Sequence, residues 1–148
     1  MQHEGTEGAG ADLPRAAAAP AAARGVRGAT TVEVAADGGL AAAVEDATAE
    51  LLGRMLADNG LATEDVAAAI FTLQDDLHGV NPAAAARARG WDAVPLLMVR
   101  EHGGDTRVAR CLRVLLLVNT PLPQSAVRHA YLRGASGLRP DLAAPSTR

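Results

Sequence analysis

A chain of 148 residues has room for one domain and little more. Its net charge of −3 comes with no basic stripe to neutralise phosphates, which argues against a nucleic-acid partner. No apolar run approaches the roughly 20 residues that span a bilayer, and Glu4 and Glu7 stand where a leader would carry positive charge. The expectation is a soluble, cytoplasmic protein with no membrane partner. Cys111 is the only cysteine, so neither an intrachain disulfide nor a cysteine zinc site can form. The histidines His3, His78, His102 and His129 show no metal-ligand spacing, and no metal or other cofactor is expected. Aromatic residues make up 2% of the chain, so a core of Ala, Val and Leu fills little volume per residue. Oligomerisation is a natural way to bury more surface.

Residues 1–23 mix Gly, Ala, Pro and acidic side chains and read as a disordered tail. Structured sequence is expected from Arg24 to Leu142, followed by a flexible C-terminus over residues 143–148. Gly25 to Val34, rich in Val and Thr, predicts a first strand. Leu40 to Asn59 predicts a helix whose stripe includes Leu51, Leu52, Met55 and Leu56, with Gly60 as its stop. Val66 to Leu73 predicts a second strand. Asn81-Pro82 reads as an N-cap followed by proline at the first helical position, opening a short helix that ends by Gly90. Val94 to Arg100 and Cys111 to Asn119 are the third and fourth strands. A short helix is expected over Ser125 to Leu132, then an irregular stretch from Leu138 to Leu142. This order makes an α/β or α+β domain around a single mixed sheet with flanking helices.

The fourth strand asks for an explanation. Both of its faces are apolar, as in a strand covered on each side, yet Arg113 shares a face with Cys111, Leu115 and Leu117. A guanidinium there cannot lose its charge and needs an anion. That anion is either a ligand or a protein carboxylate, unless the strand end reaches solvent. Arg27 lies in the first strand between the small Gly25 and Ala29, which leave it room to reach across a cavity. Glu101 ends the apolar run that begins at Val94. Two strand arginines and a strand-end glutamate suit a ligand carrying carboxylates and a hydroxyl. No nucleophile elbow, P-loop or dinucleotide fingerprint is present, so an enzyme with this inventory would work by binding and electrostatics. Cys111 reads as a small core residue, Trp91 as packing, and His129 as structural or interfacial. His78 reads as a turn cap after Asp75-Asp76, and Arg100, Arg107 and Arg110 as solvated charges.

At this point a family comes into view. The stretch from Arg24 to Thr31 (RGVRGATT), Asp76-Leu77-His78 and Asn81-Pro82-Ala83 with Arg87 resemble the AroH class of chorismate mutases. So do Gly90-Trp91, Val94-Pro95-Leu96 leading to Glu101, Cys111-Leu112-Arg113-Val114, Pro123-Gln124, the run from Val127 to Leu132, and Leu138-Arg139-Pro140-Asp141-Leu142. The resemblance covers Arg24 to Leu142 in order and spacing.

It implies a homotrimer of pseudo-α/β-barrel type with active sites at the subunit interfaces. The implied reaction is an isomerisation, chorismate to prephenate, on the route to phenylalanine and tyrosine. Carried residue by residue, Arg113 resembles the catalytic cation facing the ether oxygen, and Glu101 the acceptor for the ring hydroxyl. Arg27 and Tyr131 resemble carboxylate binders, and the backbone at Leu96-Leu97 further pocket wall. Leu138 and Arg139 match a C-terminal segment that covers the site, and Arg87 a basic residue at its mouth. The chain departs from the pattern at Asn81, where a Phe is familiar, and at Ala84 and Met98. One residue is also missing between Arg87 and Gly90. A module that keeps this fold and binds small carboxylates without turnover is the alternative.

Overall fold

The computed structural model describes residues 19–103 and 108–143. Most of the expected tail, Arg107 and the C-terminus beyond residue 143 lie outside the described residues. Among the described residues, five strands form one mixed sheet: β1 (Ala22–Thr31), β2 (Val66–Leu73), β3 (Leu96–Arg100), β4 (Cys111–Thr120) and β5 (Ala130–Tyr131). Their order across the sheet is β3-β2-β4-β1-β5. β4 runs antiparallel to both β1 and β2, while β3 joins β2 and β5 joins β1 in parallel. The sheet is mixed, as expected.

A single long helix, α1 (Leu40–Asp58), covers one face. Its buried residues Val44, Ala47, Thr48, Leu51, Leu52 and Met55 recur at helical spacing. They meet Val26, Phe71, Leu112, Val114, Leu116 and Val118 in the main core. Gly28 lets the helix come this close. A Cβ there would collide with the Met55 sulfur and lie 3.0 Å from Val114 Cγ1. The helix stops as predicted: Gly60 takes φ +61°, and Asn59 Nδ2 donates to the Met55 carbonyl at 2.8 Å.

The short helix α2 (Pro82–Arg87) opens on Asn81, whose side chain accepts from the Ala84 N–H at 2.9 Å. Asparagine at this departure from the family pattern is therefore a cap. Ala83, Ala86 and Trp91 pack into the main core, so α2 belongs to the same layer as α1. A last short helix, α3 (Pro140–Ala143), follows a 3-10 turn over Arg133–Gly137.

Four expectations need correction. β1 begins at Ala22, inside the expected tail, and ends at Thr31, where its paired register with β4 closes at Cys111; a last bond from the Val32 N–H to the Arg110 carbonyl, at 2.9 Å, follows it. β3 starts at Leu96, since Val94 closes a turn onto Trp91 and Pro95 has no N–H to give. The expected helix over Ser125 to Leu132 is one 3-10 turn, Gln124–Ala126, followed by extended chain. There Asn59 bonds both the N–H and the carbonyl of Arg128, and Ala130 and Tyr131 pair with Gly28 and Ala29. Tertiary hydrogen bonds outweigh a modest helical preference. Finally, β4 is not covered on both faces within the chain: Leu115 and Leu117 are 38% and 40% exposed.

Candidate active site

The site lies on the open face of the sheet, opposite α1, and strand register assembles it. Directly paired residues share a face, so Tyr131, Ala29, Arg113, Thr72 and Val99 form one row across all five strands. Arg27 falls on the same face two residues before Ala29, and Glu101 two residues after Val99. The Glu101 N–H donates to the Leu73 carbonyl at 2.9 Å, carrying the ladder one step beyond β3. Ala29 offers only a methyl group between Tyr131 and Arg113, and it is buried.

Arg113 has found a protein carboxylate, one of the partners the sequence left open. Its Nε lies 2.7 Å from Glu101 Oε1, with both side chains largely covered. The contact is one of charge more than of direction: Arg113 Nε and Glu101 Oε2 both lack a hydrogen-bond partner among the described residues. Thr72 Oγ1, the next residue in the row, lacks one too. Buried polar groups are rarely left without hydrogen bonds, and here three such atoms, one of them ion-paired, belong to neighbouring residues of one face.

One end of this face is roofed. Ala29, Cys111 and Ala135 form a second buried cluster, with Tyr131, Val108 and Leu138 packed against it. Burial raises the Cys111 thiol above its ordinary pKa, with a smaller opposing effect from the Arg113 charge. Cys111 is thus the inert core residue expected. Leu138 holds the C-terminal segment over this cluster, and the adjacent Arg139 makes a two-pronged pair with Asp141 at 3.0 and 2.8 Å. That pairing holds the Asp141 carboxyl below its ordinary pKa.

His129 closes the row's other neighbour. Its Nδ1 accepts the Arg27 N–H at 2.9 Å, which fixes the backbone that presents the Arg27 side chain. Burial, then the charges of Arg27 and Arg139, lower its pKa, so the ring stays neutral and keeps its acceptor. The reading of His129 as structural holds, with a more specific duty than expected. His78 caps its turn as predicted, with the Asp75 carbonyl 3.1 Å from its ring nitrogen.

Not every expected site residue joins the row. Arg87 is exposed in the last turn of α2, which packs into the main core with α1 and is no part of the row. Of the pair expected to offer backbone as wall, the Leu97 side chain lies on the open face, 56% exposed, whereas the Leu96 side chain packs against the main core. Met98 pairs in register with the buried Phe71, which directs it away from the Arg113 face. Trp91 is packing, as read. Arg100 is exposed but pairs with Asp75 at 2.7 Å, and Arg110 is exposed. Thr72 went unnoticed in the sequence. Its only signal is that it is the one polar side chain in β2.

The arrangement offers an anionic ligand two arginines on one face with a third nearby, a carboxylate to accept a hydroxyl, and apolar walls. Comparison with known proteins agrees. Residues 23–142 match the family model for chorismate mutase type I. The chain is 49% identical over 120 residues to chorismate mutase AroH of Thermus thermophilus, covering 80% of this chain and 95% of that protein. It is 38% identical over 120 residues to chorismate mutase AroH of Bacillus subtilis, covering 80% and 91%. A solved chorismate mutase from Clostridium thermocellum superposes with a TM-score of 0.68 at 36% identity, covering 76% of this chain and 97% of that one.

Proposed function

The chain belongs to the chorismate mutase type I family, enzymes that isomerise chorismate to prephenate, and from that premise we propose how its open sheet face performs the reaction. The rearrangement breaks one carbon–oxygen bond while it forms a carbon–carbon bond, and no proton need move. The protein's task is to hold the substrate in its compact form and to stabilise the charge that separates in the transition state.

Arg113 faces the ether oxygen, where negative charge develops, and its interaction strengthens as the bond loosens. Glu101 accepts the ring hydroxyl, Arg27 and Tyr131 hold carboxylates, and Leu97 forms wall. Leu138 and Arg139 cover the site from the C-terminal segment. The single observation that carries this reading is the transverse row: register alone places Tyr131, Arg113 and the approach to Glu101 on one open face.

A homotrimer completes the site. What supports it is the apolar surface of Leu97, Leu115 and Leu117 beside the charged row, together with the place of Arg87 in α2, which packs with α1 rather than on the row's face. Arg87 then serves the site of a neighbouring copy.

The test is direct. Purified protein mixed with chorismate should consume it, seen as loss of its ultraviolet absorbance. Arg113→Lys should lower kcat by roughly two to three powers of ten, the worth of one well-placed donor at about 3–4 kcal/mol. Lysine cannot hold two acceptors in one plane. A near-normal kcat for this variant would remove Arg113 from its role.

A further inference from the structure

The three orphaned atoms of the site belong to neighbours, and one of them has no part in the mechanism so far. Thr72 is paired directly with Arg113 across β2 and β4, on the same face. Its Oγ1 is buried and has no hydrogen-bond partner among the described residues; nor have Glu101 Oε2 and Arg113 Nε, although Nε keeps its 2.7 Å ionic contact with Glu101 Oε1. The other side chains of β2 are apolar, and a valine would fill the same shape at position 72 with no unpaired hydroxyl to bury. A threonine that packs like valine yet keeps a polar atom beside two more orphans points to a bond made in another state of the site.

We propose that Thr72 is a positioning residue that aims Arg113 once substrate is bound. Of the five guanidinium N–H groups, Nε–H is the one nearest its own strand. It is the group that a short side chain directly opposite can reach. As the substrate draws the outer edge of the guanidinium toward its oxygens, Nε–H leaves the vicinity of Glu101 Oε1 and donates to Thr72 Oγ1. The threonine hydroxyl then donates to Glu101 Oε2. All three orphans are satisfied together, and Glu101 Oε1 is released to accept the substrate's hydroxyl. This inference rests on the roles proposed above for Arg113 and Glu101.

The experiment compares Thr72→Val and Thr72→Ser in the full chain, with chorismate consumption as the readout and Arg113→Lys alongside. Thr72→Val should lower kcat about tenfold, the scale of one hydrogen bond, with KM within about twofold. Thr72→Ser, which restores the hydroxyl, should recover most of that loss. Thr72→Val should melt no lower than the parent, since it removes an unpaired polar atom and no contact. In the Arg113→Lys background the valine substitution should cost less than about twofold, because a residue acting through Arg113 has nothing left to aim.

Parental kcat in Thr72→Val would overturn the proposal, as would a serine variant no better than valine. A tenfold cost that persists in the Arg113→Lys background would overturn it too. Were Arg113→Lys itself fully active, the reading of Arg113 would fall and this inference with it. A slow Arg113→Lys beside a fully active Thr72→Val would remove the Thr72 role alone.

Discussion

The two faces of one sheet are built by the same strands and do opposite work. On the covered face of β4, Leu112, Val114, Leu116 and Val118 are at most 4% exposed and pack against α1. On the other face, one residue along in each case, stand Cys111, Arg113, Leu115 and Leu117, with a charge and two exposed leucines among them. The backbone, the ladder and the strand are shared. Only what covers each face differs, so the covered face answers to stability and the open one is where we propose chemistry and assembly.

Substitutions can separate the two. Leu116→Ala, on the covered face, should cost about 2–5 kcal/mol of stability through lost transfer and a cavity, read by urea denaturation. Its folded fraction should keep near-parental kcat. Arg113→Lys, one pleat away in direction, should do the reverse. Gly28→Ala should follow in size, at roughly 1–3 kcal/mol, because its methyl must push Met55 and α1 off the sheet. If Gly28→Ala unfolds like the parent, the close approach of helix to strand is not what seats α1.

On the open face, Leu117→Asp should leave the stability of the separate chain within about 0.5 kcal/mol, since the side chain is solvated there. Assembly should weaken, seen by sedimentation as smaller species. Parental sedimentation would mean that this surface is not where copies meet. The smallest effect is one of pH. His129 titrates below its ordinary value of 6.5 because it is partly buried and faces Arg27 and Arg139. Below 6.5 the unfolded chain takes up that proton more readily than the folded one. The stability contributed by the neutral ring is therefore complete above 6.5 and is lost as pH falls through the lower, folded value. His129→Gln should flatten that dependence, and an unchanged slope would show that another group sets it.

Much of the architecture was written in local pattern. α1 follows from an apolar stripe and a terminal glycine, α2 from Asn81-Pro82, and β2 from a run of apolar and β-branched residues, because each signal acts within a few residues. Candidate site residues stood out as well: Arg27, Glu101 and Arg113 as charges set in or at the end of apolar strands, and Tyr131 through the family pattern. What failed was where distant chain intervenes. The stretch from Val127 to Tyr131 looks helical by itself, yet Asn59 and the free edge of β1 draw it out into loop and strand. The openness of one face of β4 could not be read either, since an apolar strand looks alike whether its cover comes from its own helix or from another copy.

The sequence by itself determined the mixed sheet, the helix that seals one side and the chemical types that the reaction needs. Tertiary structure alone decided that Arg113 meets Glu101, that Thr72 pairs with Arg113 across the sheet and that Arg87 sits in the helix layer with α1. Composition and periodicity carry information along the chain, whereas register across β1, β2, β4 and β5 joins residues up to about a hundred positions apart.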